Sequence, residues 1–347
     1  MTQKVLITGF GGQLSFYMVK YLLENTSHNL IVCARNSDKL PFLFRALAWN
    51  PRVVLVDLDL RDEQKIASLV IDGKPDYFIN LAGRSFIPDS WTSPITTLDV
   101  NLKSLVYILE AVTKYAPNCR VFSAGSVEEL EVKNIYAVSK KAAGDSCKVY
   151  RERYNIYTTH CQLGNSESPL RNESFVTRKI TKGVTRIARA IENKKNFDPI
   201  FCGNIKNEVS WLHCEDTVDG IWRSLNQESY DKTLLGRDFP KNVKDYIICS
   251  NEFSSVKTFI ELAFKEVNIH GIWIGKGAKE KFVLENYLND FIDLKGQILV
   301  EIALQFYRPD NEVIKYNNRQ IKEDLGFAPK FELKDIMKEM VAADLNP

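Results

Sequence analysis

The chain has 347 residues, enough for one large domain or two smaller ones with a substantial core. With 46 basic and 44 acidic side chains its net charge is +2, which excludes a strongly basic surface built for nucleic acid or an anionic membrane. Hydrophobic residues at 45% and charged residues at 26% exclude a disordered or fibrous chain.

The opening run MTQKVLITGFGG is too short for a signal h-region or a membrane span, and no later segment is long enough either, so a cytoplasmic protein is expected. Seven cysteines (33, 119, 147, 161, 202, 214 and 249) are spread without CxxC spacing, which points to reduced thiols rather than a disulfide or zinc framework. The four histidines share no ligand spacing, and no metal is expected.

In chain order, KVLITGF reads as a strand, QLSFYMVKYLLEN as a helix, NLIVCAR and RVVLVDLDL as strands, and RDEQKIASLVIDG as a helix. YFINLAG, the helical NLKSLVYILEAVTKYA and the strand CRVFSAGS continue the alternation. Strands rich in Val, Ile and Leu between helices of this length predict right-handed βαβ units and an α/β, doubly wound Rossmann parallel sheet. Past residue 165 the pattern loosens, with a basic helix near VTRKITKGVTRIARAIENKK and a polar segment KNEVSWLHCEDTVDGIW. The expected organisation is a dinucleotide-binding domain over 1–165, completed by segments near 196–222 and 243–252, and a smaller substrate lobe over 166–347.

Gly9, Gly12 and Ser15 follow the first strand as GxxGxxS. Such a turn lets backbone N–H groups and a helix N-terminus approach a pyrophosphate, because glycine has no Cβ to block it. A serine where a third glycine is usual still allows close packing. At the end of the second strand Arg35 stands where NAD sites place an acid, and an arginine there accommodates the 2′-phosphate of NADP. Asp59 closes the third strand, where a carboxylate can accept from an adenine amino group or simply end a turn.

Among 14 tyrosines only Tyr136 has a lysine four residues on, Lys140. The two share a helix face, and a nearby ammonium favours the phenolate, so the tyrosine can exchange a proton well below its free pKa of about 10. The pair opens a helix after the fourth or fifth strand. Upstream, Ser126 offers a hydroxyl at a strand end and Glu128 a carboxylate.

These residues resemble extended short-chain dehydrogenase/reductases, and among them the GDP-mannose 4,6-dehydratase family. ITGFGGQ is similar to the family's ITGxTGQ, INLAGRS to NLAAQS, and LGNSESPLRNESFVTRKI to LFNHESPRRGxxFVTRKI, the most specific of the matches. WLHCEDTVDGIW, FYRPDNEV and the tail LGFAPKFELKDIMKEMVAADL also resemble family segments. The resemblance implies catalytic roles for Ser126, Glu128, Tyr136 and Lys140. It implies cofactor contacts at Gly9, Gly12, Gln13, Arg35, Asp59, Leu60, Leu81, Ser85, Tyr136, Lys140 and Arg171, and nucleotide-sugar contacts at Ser85, Asn165, Lys179 and Arg308. The implied reaction is an internal redox: hydride passes from sugar C4 to NADP, water is lost across C5 and C6 with help from Glu128, and hydride returns to C6. A homo-oligomer, dimer or tetramer, is implied as well.

The departures bear on the substrate. Ser126 and Tyr136 are 10 positions apart, less than half the family distance, so a loop is missing and Glu129 competes for the glutamate role. Val209 stands where the family carries an arginine for the diphosphate, Ser166 replaces a histidine near the cofactor, and an extra residue displaces Glu312. A 4,6-dehydratase of a GDP-linked sugar is the expected activity. A nucleotide-sugar 4-reductase, dehydrogenase or epimerase, and a catalytically weak NADP-binding protein, are the alternatives.

Overall fold

The structure, a computed structural model, describes residues 2–227, 242–287, 295–305 and 314–346. Arg308 and Glu312 lie outside the described residues. The chain divides into two compact units, the first comprising residues 1–166, 214–249 and 316–328, the second 167–213, 250–315 and 329–347.

The first unit is built on a seven-stranded sheet. Its elements are β1 (Lys4–Thr8), α1 (Gln13–Asn25), β2 (Asn29–Ala34), α2 (Phe42–Ala48), β3 (Val53–Asp57), α3 (Glu63–Gly73), β4 (Tyr77–Asn80), α4 (Ile87–Thr92), α5 (Pro94–Leu98), α6 (Ser104–Tyr115), β5 (Arg120–Ala124), α7 (Ile135–Tyr154) and β6 (Thr158–Leu163), followed later in the chain by α9 (Cys214–Leu225), β11 (Ile247–Ile248) and α11 (Arg319–Leu325). The strands order as β11-β6-β5-β4-β1-β2-β3, and every pairing is parallel. Inner strands such as β4 are buried at every residue, which is why they read as unbroken apolar runs. Edge strand β3 is only partly covered, with Val54 58% exposed. Strand order reverses between β1 and β4, and the crevice beyond their carboxyl ends is where a sheet of this kind takes a ligand. The core packs Leu6, Phe78, Leu105, Ile108, Val112 and Cys147 from strands and helices alike.

The helix expected over NLKSLVYILEAVTKYA begins as a π-helical turn, Asp99–Lys103, before α6. The short helices α4 and α5 were not foreseen. A π turn does not follow a period of 3.6, so a search for amphipathic periodicity passes over it.

The second unit contains α8 (Val176–Glu192), β8 (Ile200–Cys202), β9 (Glu208–Val209), β10 (Trp211–His213), β12 (Ser254–Ser255), α10 (Val256–Glu266), β13 (Ile269–Ile274), β14 (Lys281–Tyr287), β15 (Ile298–Ile302) and α12 (Leu333–Leu345), while β7 (Asn165–Glu167) straddles the change of unit in sequence. Four strands order as β13-β14-β15-β8, antiparallel except for the parallel pair β15 and β8. Residues 196–213, expected with the dinucleotide-binding domain, therefore group with this unit: β8 hydrogen-bonds to β15, and that pairing decides the grouping. Only from Cys214 does the chain return to the first unit, joined later by 316–328. Helix α8 turns Ile180, Val184, Ile187 and Ile191 into the core with Phe259, Phe264 and Met337, leaving most of its cations outward. Arg178 is the exception, buried and paired with Asp344.

Candidate active site

The turn after β1 is shaped by glycine. Gly9 has φ +82°, and a Cβ there would stand 2.8 Å from the Ala82 amide nitrogen, so the loop can pass the end of β4 only without a side chain. Gly12 N-caps α1 and donates its N–H to Gly9 O at 3.0 Å. The Ser15 hydroxyl lies 2.7 Å from both Gly9 O and Gly12 O. It therefore braces the turn that a third glycine would merely have allowed to pack. No acidic residue occupies the first turn of α1, which leaves the positive end of the helix dipole for an anion. Gln13 donates from Nε2 to Ser166 O at 2.7 Å, and Ser166 Oγ meets Thr217 Oγ1 at 2.9 Å.

At the ends of β2 and β3 a pocket of about 380 Å³ is lined by Arg35, Lys39, Lys65, Asp57 and Asp59 among others. Asn36 is left-handed at φ 59°, and Ser37 donates its N–H and its hydroxyl to Asp57 at 2.7 and 2.9 Å, pinning the loop that carries Arg35. Those bonds hold the Asp57 carboxyl below its ordinary range. Asp59 is bound by the Arg61 guanidinium, with Nη2 at 2.6 Å, and is pulled down to about 2. Leu60 is buried, Leu81 is half-buried and Ser85 is exposed, all in this unit. An uncompensated helix N-terminus and a glycine cradle fit the diphosphate of a nicotinamide dinucleotide, and the pocket at the ends of β2 and β3 sets Arg35, Lys39 and Lys65 among Asp38, Asp57 and Asp59.

The chemistry-bearing groups gather where β5 ends. Asn134 caps α7 by accepting the Ala137 N–H at 2.8 Å, which sets Tyr136 and Lys140 on the first turns, both 7% exposed. Lys140 Nζ lies 6.0 Å from the centre of the Tyr136 ring and donates to Ala124 O at 2.6 Å, the last carbonyl of β5. Burial pushes the Lys140 ammonium down to about 8, opposed by the negative charge of Glu129. Ser126 caps a one-turn 3-10 helix, Val127–Leu130, and its hydroxyl accepts the Glu128 N–H at 3.3 Å, which leaves the hydroxyl proton to donate. Burial raises the Glu128 carboxyl, against a hydrogen bond from Asn134 and the charge of Lys133. Glu129, its competitor, accepts the Ser126 N–H at 2.6 Å and sits 3.1 Å from His160 Nε2, so its oxygens are committed.

Asn101, on the π-helical turn, was missed by the sequence reading. Its Oδ1 accepts the Arg84 N–H at 2.8 Å, and its Nδ2 donates to Arg84 O at 3.1 Å and Ser139 Oγ at 3.0 Å. It thereby ties the β4 loop to α7. Lys39, Lys65 and His160 were not singled out as site residues either. Asn165 opens β7 in the first unit, whereas Arg171 and Lys179 belong to the second. There Arg171 lies over the Phe175 ring with its guanidinium 3.7 Å from the centroid, and Nε stands 3.6 Å from Glu167. Lys179 is half-buried on α8. Val209 packs on that unit's apolar core. Among the described residues no cluster of His, Cys, Asp and Glu could hold a metal, and no helix is long and apolar enough to cross a membrane.

A parallel doubly wound sheet with a glycine turn after its first strand and a Tyr–Lys helix after its fifth defines an extended short-chain dehydrogenase/reductase. Solved structures with this fold include a UDP-glucose 4-epimerase from Thermotoga maritima with UDP-glucose (TM-score 0.73, 15% identity, 98% of each chain). Others are a dTDP-glucose 4,6-dehydratase from Bacillus anthracis with NAD (TM-score 0.73, 16% identity, 99% of this chain and 96% of the other) and RMD from Pseudomonas aeruginosa with NADPH (TM-score 0.71, 16% identity, 99% of each). The family described as GDP-mannose 4,6 dehydratase matches residues 6–340. A GDP-mannose 4,6-dehydratase of Vibrio cholerae is 30% identical over all of this chain and 95% of its own length, and one of Drosophila melanogaster is 28% identical over 98% and 86%. The chain belongs to that family and is an enzyme of the nucleotide-sugar dehydratase class. The Vibrio alignment runs over 375 positions against 347 residues here, so that relative carries segments this chain lacks.

Proposed function

We propose that the enzyme catalyses the NADP-dependent 4,6-dehydration of a GDP-linked hexose to its 4-keto-6-deoxy product. The observation that carries this reading is the buried Tyr136–Lys140 pair held at the end of β5 by the 2.6 Å bond from Lys140 Nζ to Ala124 O, the strand end from which the turn carrying Ser126 and Glu128 follows. When bound, the nicotinamide would accept hydride from C4 and return it to C6. Tyr136 takes the C4 hydroxyl proton, and the Lys140 ammonium lowers the cost of the phenolate. Ser126 donates to the same oxygen. Glu128 removes the C5 proton and delivers one to the departing C6 hydroxyl, work that suits a carboxyl whose hold on a proton is raised by burial, and the proton taken by Tyr136 is the one available to C5 at the end.

Gly9, Gly12 and Gln13 would hold the diphosphate, and Arg35 the ribose phosphate, supporting NADP over NAD. Asn165, Lys179 and Arg308 are assigned to the nucleotide sugar by resemblance. A cytoplasmic setting belongs to the same proposal, supported by seven buried thiols that a reducing compartment preserves.

Purified enzyme incubated with GDP-mannose and NADP should form a 4-keto-6-deoxy sugar nucleotide, read by mass as loss of water. Glu128→Gln should lower the rate by roughly 100-fold or more, the contribution of a positioned acid–base group. The second reading, a 4-reductase or epimerase, is favoured by the short Ser126–Tyr136 connection. It predicts a substrate turned over without loss of water and at an unchanged rate in Glu128→Gln.

A further inference from the structure

Directly behind Ser126 lies a buried polar cluster that the proposed reaction leaves unused. The His160 ring, on β6, stands with Nδ1 3.0 Å from Ser123 Oγ and Nε2 3.1 Å from both carboxylate oxygens of Glu129. Glu129 Oε1 in turn accepts the Ser126 N–H at 2.6 Å. Glu129 is 8% and His160 3% exposed. The backbone on both sides is held as well: Gly125 N–H donates to Cys161 O at 2.8 Å, and His160 N–H to Asp245 Oδ1 at 2.7 Å. A Cβ on Gly125 would come within 2.4 Å of His160 Nε2, and one on Gly144 within 2.8 Å of Cδ2. Two glycines, one before the turn and one on α7, thus make room for the ring.

A carboxylate at this depth is costly unless its lone pairs are used, and here imidazole and backbone N–H use them. The other bonds of the 3-10 turn are weaker. Glu129 N–H donates to Ser126 O at 3.0 Å, Glu128 N–H to Ser126 Oγ at 3.3 Å and Glu131 N–H to Glu128 O at 3.3 Å, and a single 3-10 turn has little cooperativity of its own. The charge-assisted bond that the Ser126 N–H donates to the Glu129 carboxylate is therefore the shortest tether of the segment that presents Ser126 and Glu128.

We propose that Glu129 and His160 are positioning residues, a buried pair that locks the Ser126–Glu128 turn so that its hydroxyl and its carboxyl keep one presentation to substrate. This role rests on the reaction proposed above. It gives the chain a way to hold a catalytic turn joined to α7 by a short connection. His160 supports the Glu129 carboxylate, Glu129 supports the Ser126 amide, and neither touches the reacting atoms. Because Glu129 is drawn inward, its neighbour Glu128 is the carboxylate left for the sugar. The carboxylate also faces the Lys140 ammonium electrostatically, which links the tether to the Tyr–Lys pair.

The experiment compares wild type, Glu129→Ala, Glu129→Gln and His160→Gln by steady-state kinetics with GDP-mannose and NADP, by NADPH fluorescence titration, and by amide hydrogen exchange over residues 126–131. In Glu129→Ala, kcat should fall roughly 10- to 100-fold with little change in KM or NADPH affinity, as for a misplaced catalytic group. Exchange at Ser126 should accelerate by roughly tenfold or more as its acceptor is lost. Glu129→Gln, which keeps an oxygen for the Ser126 N–H, should recover most of both. His160→Gln should shift kcat in the same direction and serves where Glu129→Ala does not fold. Wild-type kcat and unchanged exchange in Glu129→Ala would overturn the proposal, as would a loss in Glu129→Gln equal to that in Glu129→Ala. If wild type leaves GDP-mannose unchanged, the assigned reaction falls, and exchange at Ser126 with its recovery in Glu129→Gln still decides the positioning role.

Discussion

Replacing Lys140 by methionine should abolish catalysis while leaving the fold as stable as before or more so. Burial lowers this lysine from 10.5 to about 8, and at about 1.36 kcal/mol per unit the folded chain gives up about 3 kcal/mol to keep the ammonium at neutral pH. Methionine has a similar length and no charge to bury. Against that gain, the Ala124 carbonyl loses its 2.6 Å donor, at about 1–3 kcal/mol for a buried acceptor left unpaired. The expected net change at pH 7 lies between about zero and 2 kcal/mol of stabilisation. The pH dependence has a definite sign. Below pH 8 the lysine is charged in both folded and unfolded chains and the whole penalty is present, whereas above 10.5 it is neutral in both and the penalty is gone. Wild type should therefore gain stability relative to Lys140→Met as pH rises from 8 to 10.5. Urea unfolding of both proteins at pH 7, 8, 9 and 10, at matched concentration, reads the difference. A variant destabilised by more than about 3 kcal/mol at pH 7, or a difference that does not move with pH, would refute the reasoning.

Gly9→Ala forces a side chain onto a φ of +82° and a contact of 2.8 Å with backbone, so it should destabilise by about 1–3 kcal/mol and weaken NADPH binding, read by thermal melting and fluorescence titration. Arg35→Ala should weaken NADPH by roughly tenfold, the loss of a charge-assisted phosphate contact, while NADH binding changes little. Equal losses for the two cofactors would show that Arg35 does not select the phosphate.

The alternation of apolar strands and amphipathic helices, the glycine turn and the Tyr136–Lys140 spacing were legible in the sequence because each is a local pattern whose geometry a few residues define. Parallel pairing followed from connection rules, whereas the order β11-β6-β5-β4-β1-β2-β3 comes from the structure. Residues 196–213 were misplaced because β8 joins its sheet through β15, about a hundred residues on, and nothing local to β8 marks that partner.

The site divides in the same way. Sequence alone put Ser126, Glu128 and Glu129 beside the Tyr136–Lys140 helix and left two adjacent carboxylates competing for one role. In the tertiary structure their partners differ, because His160 arrives from β6 to take one carboxylate and Asn134 from the head of α7 to meet the other. Asn101 is likewise unremarkable on its helix until the β4 loop and Ser139 close around it. A side chain's residue type says what chemistry it can perform, whereas burial and hydrogen-bond partners from distant strands determine whether that chemistry is spent on holding the fold or left for a substrate.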